Sequence, residues 1–255
     1  MHAQVGCWKA PYSNQSIASF GPWQEAKPAN GDILLIRTYP VPFPPALNEV
    51  GSISLPELVK ELRSRFPGSP VAVWIADGPP ECVIDLVRAA TSASVRAILG
   101  GQAADADRLR EELTYPQGLS TFVMRWASDA GYLPPGTVQQ EVHALLDAPP
   151  NVRTLQRLAI NRHEAARTWR GRLQQFGLPT PRAWLGLSHA LHIAFFMQRN
   201  STESLQTLSE RLGMQTVAHM SQQFRRVFGL PPGDVRDLLG AEPLLHRWFS
   251  TRLRR

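Results

Sequence analysis

The sequence predicts an α/β domain followed by an all-α domain carrying two helix-turn-helix motifs. Strand-like and helix-like runs alternate between Asp32 and Leu113, a helix, turn and second helix recur twice after Asn151, and charge is divided between the halves. Residues 151–255 hold sixteen Arg, no Lys and six acids, a net of +10, which leaves −4 for residues 1–150. An excess of this size on one half is the electrostatic footprint of a polyanionic partner, here nucleic acid. A membrane surface also attracts such charge, but no stretch reaches the ~18–20 apolar residues needed to span one. The 255 residues suffice for one or two domains, each large enough for a core. The expected division is an α/β domain over 1–114, a helical linker or dimer helix over 115–136, and the all-α domain over 137–255.

Residues 1–30 carry Pro11, Pro22 and Pro28 among Trp8, Tyr12, Phe20 and Trp23, and no element is assigned to them. Asp32 to Tyr39 is dense in Ile and Leu, as in a strand buried on both faces. Pro40, Pro42, Pro44 and Pro45 stop it. Leu55, Leu58, Val59, Leu62 and Phe66 give a helix over 55–66, with Pro56 tolerated in its first turn and Pro67-Gly68 ending it. Val71 to Ala76 is a second buried strand, Glu81 to Ala90 a helix, Val95 to Leu99 a third strand, and Ala104 to Leu113 a helix. This alternation predicts a small parallel sheet. From Tyr115 the chain turns helical. Leu119, Phe122, Val123 and Trp126 form one stripe, suited to a dimer contact or to packing on its own domain, and Val138, Val142, Leu145 and Leu146 form another.

Of the two repeats, Ser204 to Pro232 is the clearer. Leu205, Leu208 and Leu212 give an apolar stripe, Gly213 stands where a helix C-terminus takes a left-handed residue, and Met214, Met220, Phe224, Val227 and Phe228 give a second helix one apolar face. Gln215, Thr216, His219, Gln222, Gln223 and Arg226 are left to look outward. Upstream, Asn151 to Pro181 repeats the pattern. Leu155, Leu158 and Ala159 lie in the first helix and Trp169, Leu173 and Phe176 at apolar positions of the second, offset by fifty residues at Ala159 against Ser209 and by fifty-one at Pro181 against Pro232. Arg182 to Arg199 between them is a connecting helix with Trp184, Leu187, Leu191 and Ala194 on one stripe.

Gly213, Met220, Phe224, Arg225, Arg226, Gly229 and Pro232 resemble the closing pattern of the AraC/XylS transcription regulators, whose DNA-binding domain has two such motifs. The resemblance covers roughly residues 140–240. The first motif departs from the pattern: His163 stands at the turn glycine, Ala165 at the capping serine, and Gly177 comes one residue early. The resemblance implies recognition helices that enter successive major grooves of double-stranded DNA. Its DNA-contacting positions fall on Arg167, Thr168, Arg170, Gly171 and Gln174 in the first motif, and on Thr216, Val217, Ala218, His219, Gln222 and Arg226 in the second. Val217 and Ala218 offer only apolar contact, for which a thymine methyl is the natural target. The blander reading of Arg167, Arg170 and Arg172 is a solvated helix face. Arg252, Arg254 and Arg255 keep the chain end soluble or add a phosphate contact, the former being preferred.

The strand and helix order of the N-terminal half resembles the later part of a response-regulator receiver domain. The resemblance places the phosphoacceptor aspartate at Arg37, the Ser or Thr at Ala76 or Asp77, and the lysine at Gly100 and Gly101. Phosphoryl transfer needs the carboxylate, a metal held by acids and a cation, so the expectation is a shortened, degenerate receiver-like domain that is not phosphorylated at that position and serves homodimerisation, docking or sensing.

Cys7 and Cys82 have neither disulfide-framework nor metal-ligand spacing. The first twenty residues lack the pattern of a signal peptide, and a cytoplasmic location is expected. His189 and His192, three apart, could chelate a metal, but they lie on a packing helix without acid or thiol partners, so packing is the preferred reading. Asp77-Gly78 follows a strand, where α/β enzymes place catalytic groups. No serine elbow, phosphate loop or paired-histidine motif accompanies it, and neither enzyme activity nor a cofactor is expected. The alternative to a selective regulator is a protein-docking module whose basic half binds DNA without selectivity.

Overall fold

The computed structural model describes residues 3–9, 21–38, 54–101, 106–114, 118–133, 138–148, 154–161, 165–213 and 216–253. Pro11, Tyr12, Phe20, the prolines at 40–45, Tyr115, His163, Met214, Gln215, Arg254 and Arg255 lie outside the described residues. The chain divides into two compact units, Met1–Tyr115 and Pro116–Arg255.

The first unit holds a four-stranded sheet in the order β1 (Ala3–Trp8), β2 (Ile33–Thr38), β3 (Val71–Ile75), β4 (Ala97–Gly100). Strands β2, β3 and β4 run parallel, as the alternation requires. The sheet as a whole is mixed, a correction to the parallel sheet expected. Strand β1 pairs antiparallel to β2, with Ala3 opposite Thr38 and Trp8 opposite Ile33. Its sequence signal is six residues interrupted by Gly6, too short to read as a strand. The pairing itself fixes it, because β2 is buried at every position but Arg37 and its free edge must be hydrogen-bonded.

Leu34, Ile36, Val71, Val73 and Ile75 form one sheet face, covered by α1 (Leu55–Arg65) and α2 (Pro80–Ser92). Helix α1 starts on a capping box. The Glu57 N–H donates to Ser54 Oγ, and the Glu57 carboxylate accepts from the Ser54 hydroxyl at 2.7 Å and from the Ser54 N–H at 3.0 Å, which together hold that carboxyl below its usual pKa, the hydroxyl most. Helix α3 (Ala106–Thr114) packs on β4. Two arginines close helix ends: Arg63, buried, donates to the Ala93 carbonyl after α2 at 3.2 Å, and Arg96 donates to the Leu113 carbonyl in α3. Arg37 lies inside β2, in register with Gln4 and Trp74, its guanidinium 4.6 Å over the Trp74 ring.

The second unit is helical: α4 (Leu119–Asp129), α5 (Val138–Leu146), α6 (Leu155–Asn161), α7 (Ala166–Gln175), α8 (Pro181–Arg199), α9 (Leu205–Arg211), α10 (Val217–Phe228), α11 (Pro232–Asp237) and α12 (Glu242–Arg252). Segment 115–136, expected as a linker or dimer helix, supplies α4, whose Leu119, Val123 and Trp126 are buried in this unit's own core. One continuous hydrophobic cluster joins all these helices through α8, which buries Trp184, Leu187, Leu191 and Ala194. Trp184 meets Trp248 of α12 at 4.8 Å, and Phe249 beside it stacks on Tyr132 at 4.7 Å. Polar ties lock the connecting helix: Ser188 Oγ donates to the Leu146 carbonyl at 2.8 Å, and the buried Gln198 amide donates to the Val235 and Gly240 carbonyls at 3.2 Å.

Candidate nucleic-acid interface

In the pair α9–α10, the signals are local. Ser204 Oγ accepts the Thr207 N–H at 3.1 Å and starts α9. Gly213 takes φ +62° after α9, a conformation that costs a side chain with a Cβ. Thr216 starts α10 by accepting the His219 N–H at 3.1 Å, and Gly229 ends it in the left-handed region. Met220, Phe224, Val227 and Phe228 are buried, while Ala218, His219, Gln222, Arg225 and Arg226 are exposed. Val217 is half-buried and packs against the core. Gln223, expected outward, is a correction: it faces α8, its amide 3.2 Å from His189 Nδ1, because the helical turn carries position 223 toward α8.

The pair α6–α7 is assembled differently. Leu155, Leu158 and Ala159 of α6 and Trp169 and Leu173 of α7 are buried. Ala165 precedes α7 and gives no side-chain cap. In its place Arg172 donates to Glu141 of α5 at 2.6 Å, with the Glu141 side chain 8% exposed and that of Arg172 46%. Arg172 is thus exposed yet tied to Glu141. Phe176, expected at an apolar packing position, is a correction as well: it caps the C-terminus of α7 and is exposed, because the helix ends there and Gly177 turns the chain so that Leu178 is buried instead. Arg167, Thr168, Arg170, Gly171 and Gln174 remain exposed. No ion pair joins Arg167 or Arg170 to another described residue.

Arg252, expected as a solubilising tail residue, is a correction. It donates to the carbonyls of Arg226 and Val227 at 3.0 and 3.1 Å and lies over the Trp248 ring, closing the end of α10. Burial, then the Arg226 charge, pushes its pKa down. Helix α12 is an element not expected above, although Leu244, Leu245, Trp248 and Phe249 repeat at helical spacing.

No family model matches the chain, and no curated protein or solved structure is similar to it. The residues themselves must carry the functional reading.

Three other groupings compete for attention. The loops Asp77-Gly78 and Gly100-Gly101 border one cavity of about 300 Å³ at the carboxyl ends of β3 and β4, with Arg108 beside them. Among the described residues, no Ser, His or Cys lines that cavity. Ser120 Oγ lies 3.3 Å from His143 Nε2, and His143 Nδ1 lies 2.8 Å from Asp147 Oδ2, the order of a hydrolytic triad. Ser120 is 2% exposed, while His143 and Asp147 reach solvent, so the would-be nucleophile is the closed end and the chain of bonds serves to tie α4 to α5. Among the described residues, no group of three His, Cys, Asp or Glu side chains could hold a metal ion, and no helix is long and apolar enough to cross a membrane. His189 faces Gln223 rather than a shared site with His192.

Proposed function

We propose that the chain is a sequence-specific, DNA-binding transcription regulator of the AraC/XylS type, in which α6–α7 and α9–α10 are two helix-turn-helix motifs and α7 and α10 the recognition helices. The observation that carries this reading is the sidedness of those two helices. Each buries its apolar residues in one shared core and keeps Arg167, Arg170 and Gln174, or Ala218, His219 and Gln222, exposed. Guanidinium and amide groups on such faces suit base edges and phosphates. The net +10 of residues 151–255 supplies the general attraction. Helix α8, about 28 Å long at ~1.5 Å per residue, gives the motifs a fixed spacing of the order of one turn of the duplex.

The N-terminal unit is read as a receiver-like module that is not phosphorylated at Arg37, where a side chain with no nucleophilic oxygen occupies the strand. It serves homodimerisation in the cytoplasm. Exposed Ile84 and Val87 on α2 suit that role, and they equally suit the second reading, a docking module with unselective DNA binding. Selection of bound sequences from random duplexes separates the two. An enriched motif supports the regulator; uniform, salt-sensitive binding supports the docking module. A phosphoryl adduct after incubation with a small phosphodonor would overturn the inert assignment of the receiver-like unit.

A further inference from the structure

The geometry points to an operator with two chemically different halves, a guanine-containing half read by α7 and an A·T-rich half read by α10; this rests on the DNA-binding reading above. A recognition helix meets base edges mainly through its N-terminal turns. In α7 those turns expose Arg167, Thr168 and Arg170, with Gln174 a turn further on. Arg172 is held by Glu141 and cannot join them without breaking that pair. An arginine aimed into the major groove pairs bidentately with guanine O6 and N7, the commonest specific contact.

The first turns of α10 expose no guanidinium at all. Thr216 spends its hydroxyl on the cap, Val217 leans on the core, and Ala218, His219 and Gln222 form the outward surface. An alanine methyl suits the thymine C5-methyl, and a glutamine amide pairs with adenine N6 and N7. The α10 arginines come only in the last turn, at Arg225 and Arg226, where the helix end is closed by Arg252. Their place suits phosphate contact, which positions the helix without reading sequence. The two halves therefore differ in base preference rather than repeating one another, and the site has a direction on the duplex.

The test is selection from random duplexes with the full chain, followed by the same selection with Arg170→Ala, Gln222→Ala and Ala218→Arg. All three positions are exposed, and circular dichroism checks that each variant is folded. The expected result is a bipartite motif with guanine in one half and adenine and thymine in the other. Arg170→Ala should flatten the guanine preference alone, by roughly ten-fold or more per position. Gln222→Ala should flatten an adenine in the other half, and Ala218→Arg should bring a guanine into that half. A selected motif with the same guanine contacts in both halves, or an unchanged motif in all three variants, overturns this inference while leaving the regulator standing. No enriched motif at all overturns the regulator itself.

Discussion

In α9–α10 each helix begins on a hydroxyl that accepts a backbone N–H, Ser204 for one and Thr216 for the other, whereas α7 begins on Ala165, which offers none. Between α9 and α10 stands Gly213 at φ +62°; the matching His163 lies outside the described residues. What α7 lacks locally it gains from α5, through Glu141 and Arg172, and from the complete burial of Trp169. Two helix pairs with similar roles in one core can thus be fixed by different means, one by neighbours in sequence and the other by distant contacts. The difference bears on the proposed function, because an arginine engaged by Glu141 is less available to DNA.

The largest test of this contrast is Trp169→Ala. The side chain is 1% exposed at the centre of the α7 packing, and its loss should cost ~3–5 kcal/mol, read as a fall in the urea midpoint of the helical unit. A cost under about 1 kcal/mol would mean that α7 is held by something else.

Next comes Arg172→Ala. It leaves the Glu141 carboxylate without its partner, and a loss of about 1–2 kcal/mol is expected, because water can enter where the half-exposed arginine stood. The reverse change, Glu141→Gln, leaves a half-exposed arginine that water can solvate, so it should cost clearly less. If the two costs are equal, the pair does not work by shielding a buried acid. The double variant Arg172→Leu with Glu141→Leu should recover much of the loss.

The caps give a smaller, paired test. Thr216→Ala should destabilise by ~1 kcal/mol, and Ala165→Ser should stabilise by up to about the same amount, since it adds to α7 the acceptor that α10 already has. Equal responses of opposite sign would equalise the two pairs; no gain from Ala165→Ser would show that the entry to α7 has the wrong geometry for a cap.

The smallest effect concerns pH. His246 of α12 lies 2.8 Å from the Tyr132 hydroxyl, and burial, with the Arg247 charge, lowers its pKa in the folded chain. A histidine held neutral contributes stability that is intact above its unfolded pKa of ~6.5 and is lost as pH falls from there through the lower folded value. The urea midpoint should therefore be lower at pH 5 than at pH 7.5, and His246→Gln should narrow that gap. An unchanged gap would assign the acid sensitivity to other groups.

How far each region could be read from the sequence follows the same division. The pair α9–α10 was legible because its turn glycine and its apolar stripes lie within a few residues of one another. Strands β2 and β3 were legible because unbroken apolar runs have few alternatives. Strand β1 was not, since six residues interrupted by Gly6 become a strand only against the edge of β2. The tie between Glu141 and Arg172 spans thirty-one positions, and that between Arg252 and Arg226 twenty-six, and nothing in either local stretch announces them. Helix α12 carried a readable signal in Leu244, Leu245, Trp248 and Phe249.

By itself the sequence determined most of the runs that become helix or strand, β1, α11 and α12 excepted, and the concentration of cationic charge in the second half. Those are matters of neighbouring side chains and composition. Only the tertiary structure decided which arginines are tied to partners within the fold, as Arg63, the half-exposed Arg172 and Arg252 are, while Arg167 and Arg170 stay exposed. A guanidinium is fixed by whichever desolvated carbonyl or carboxylate the packing brings to it, and that choice is made between segments far apart in the chain.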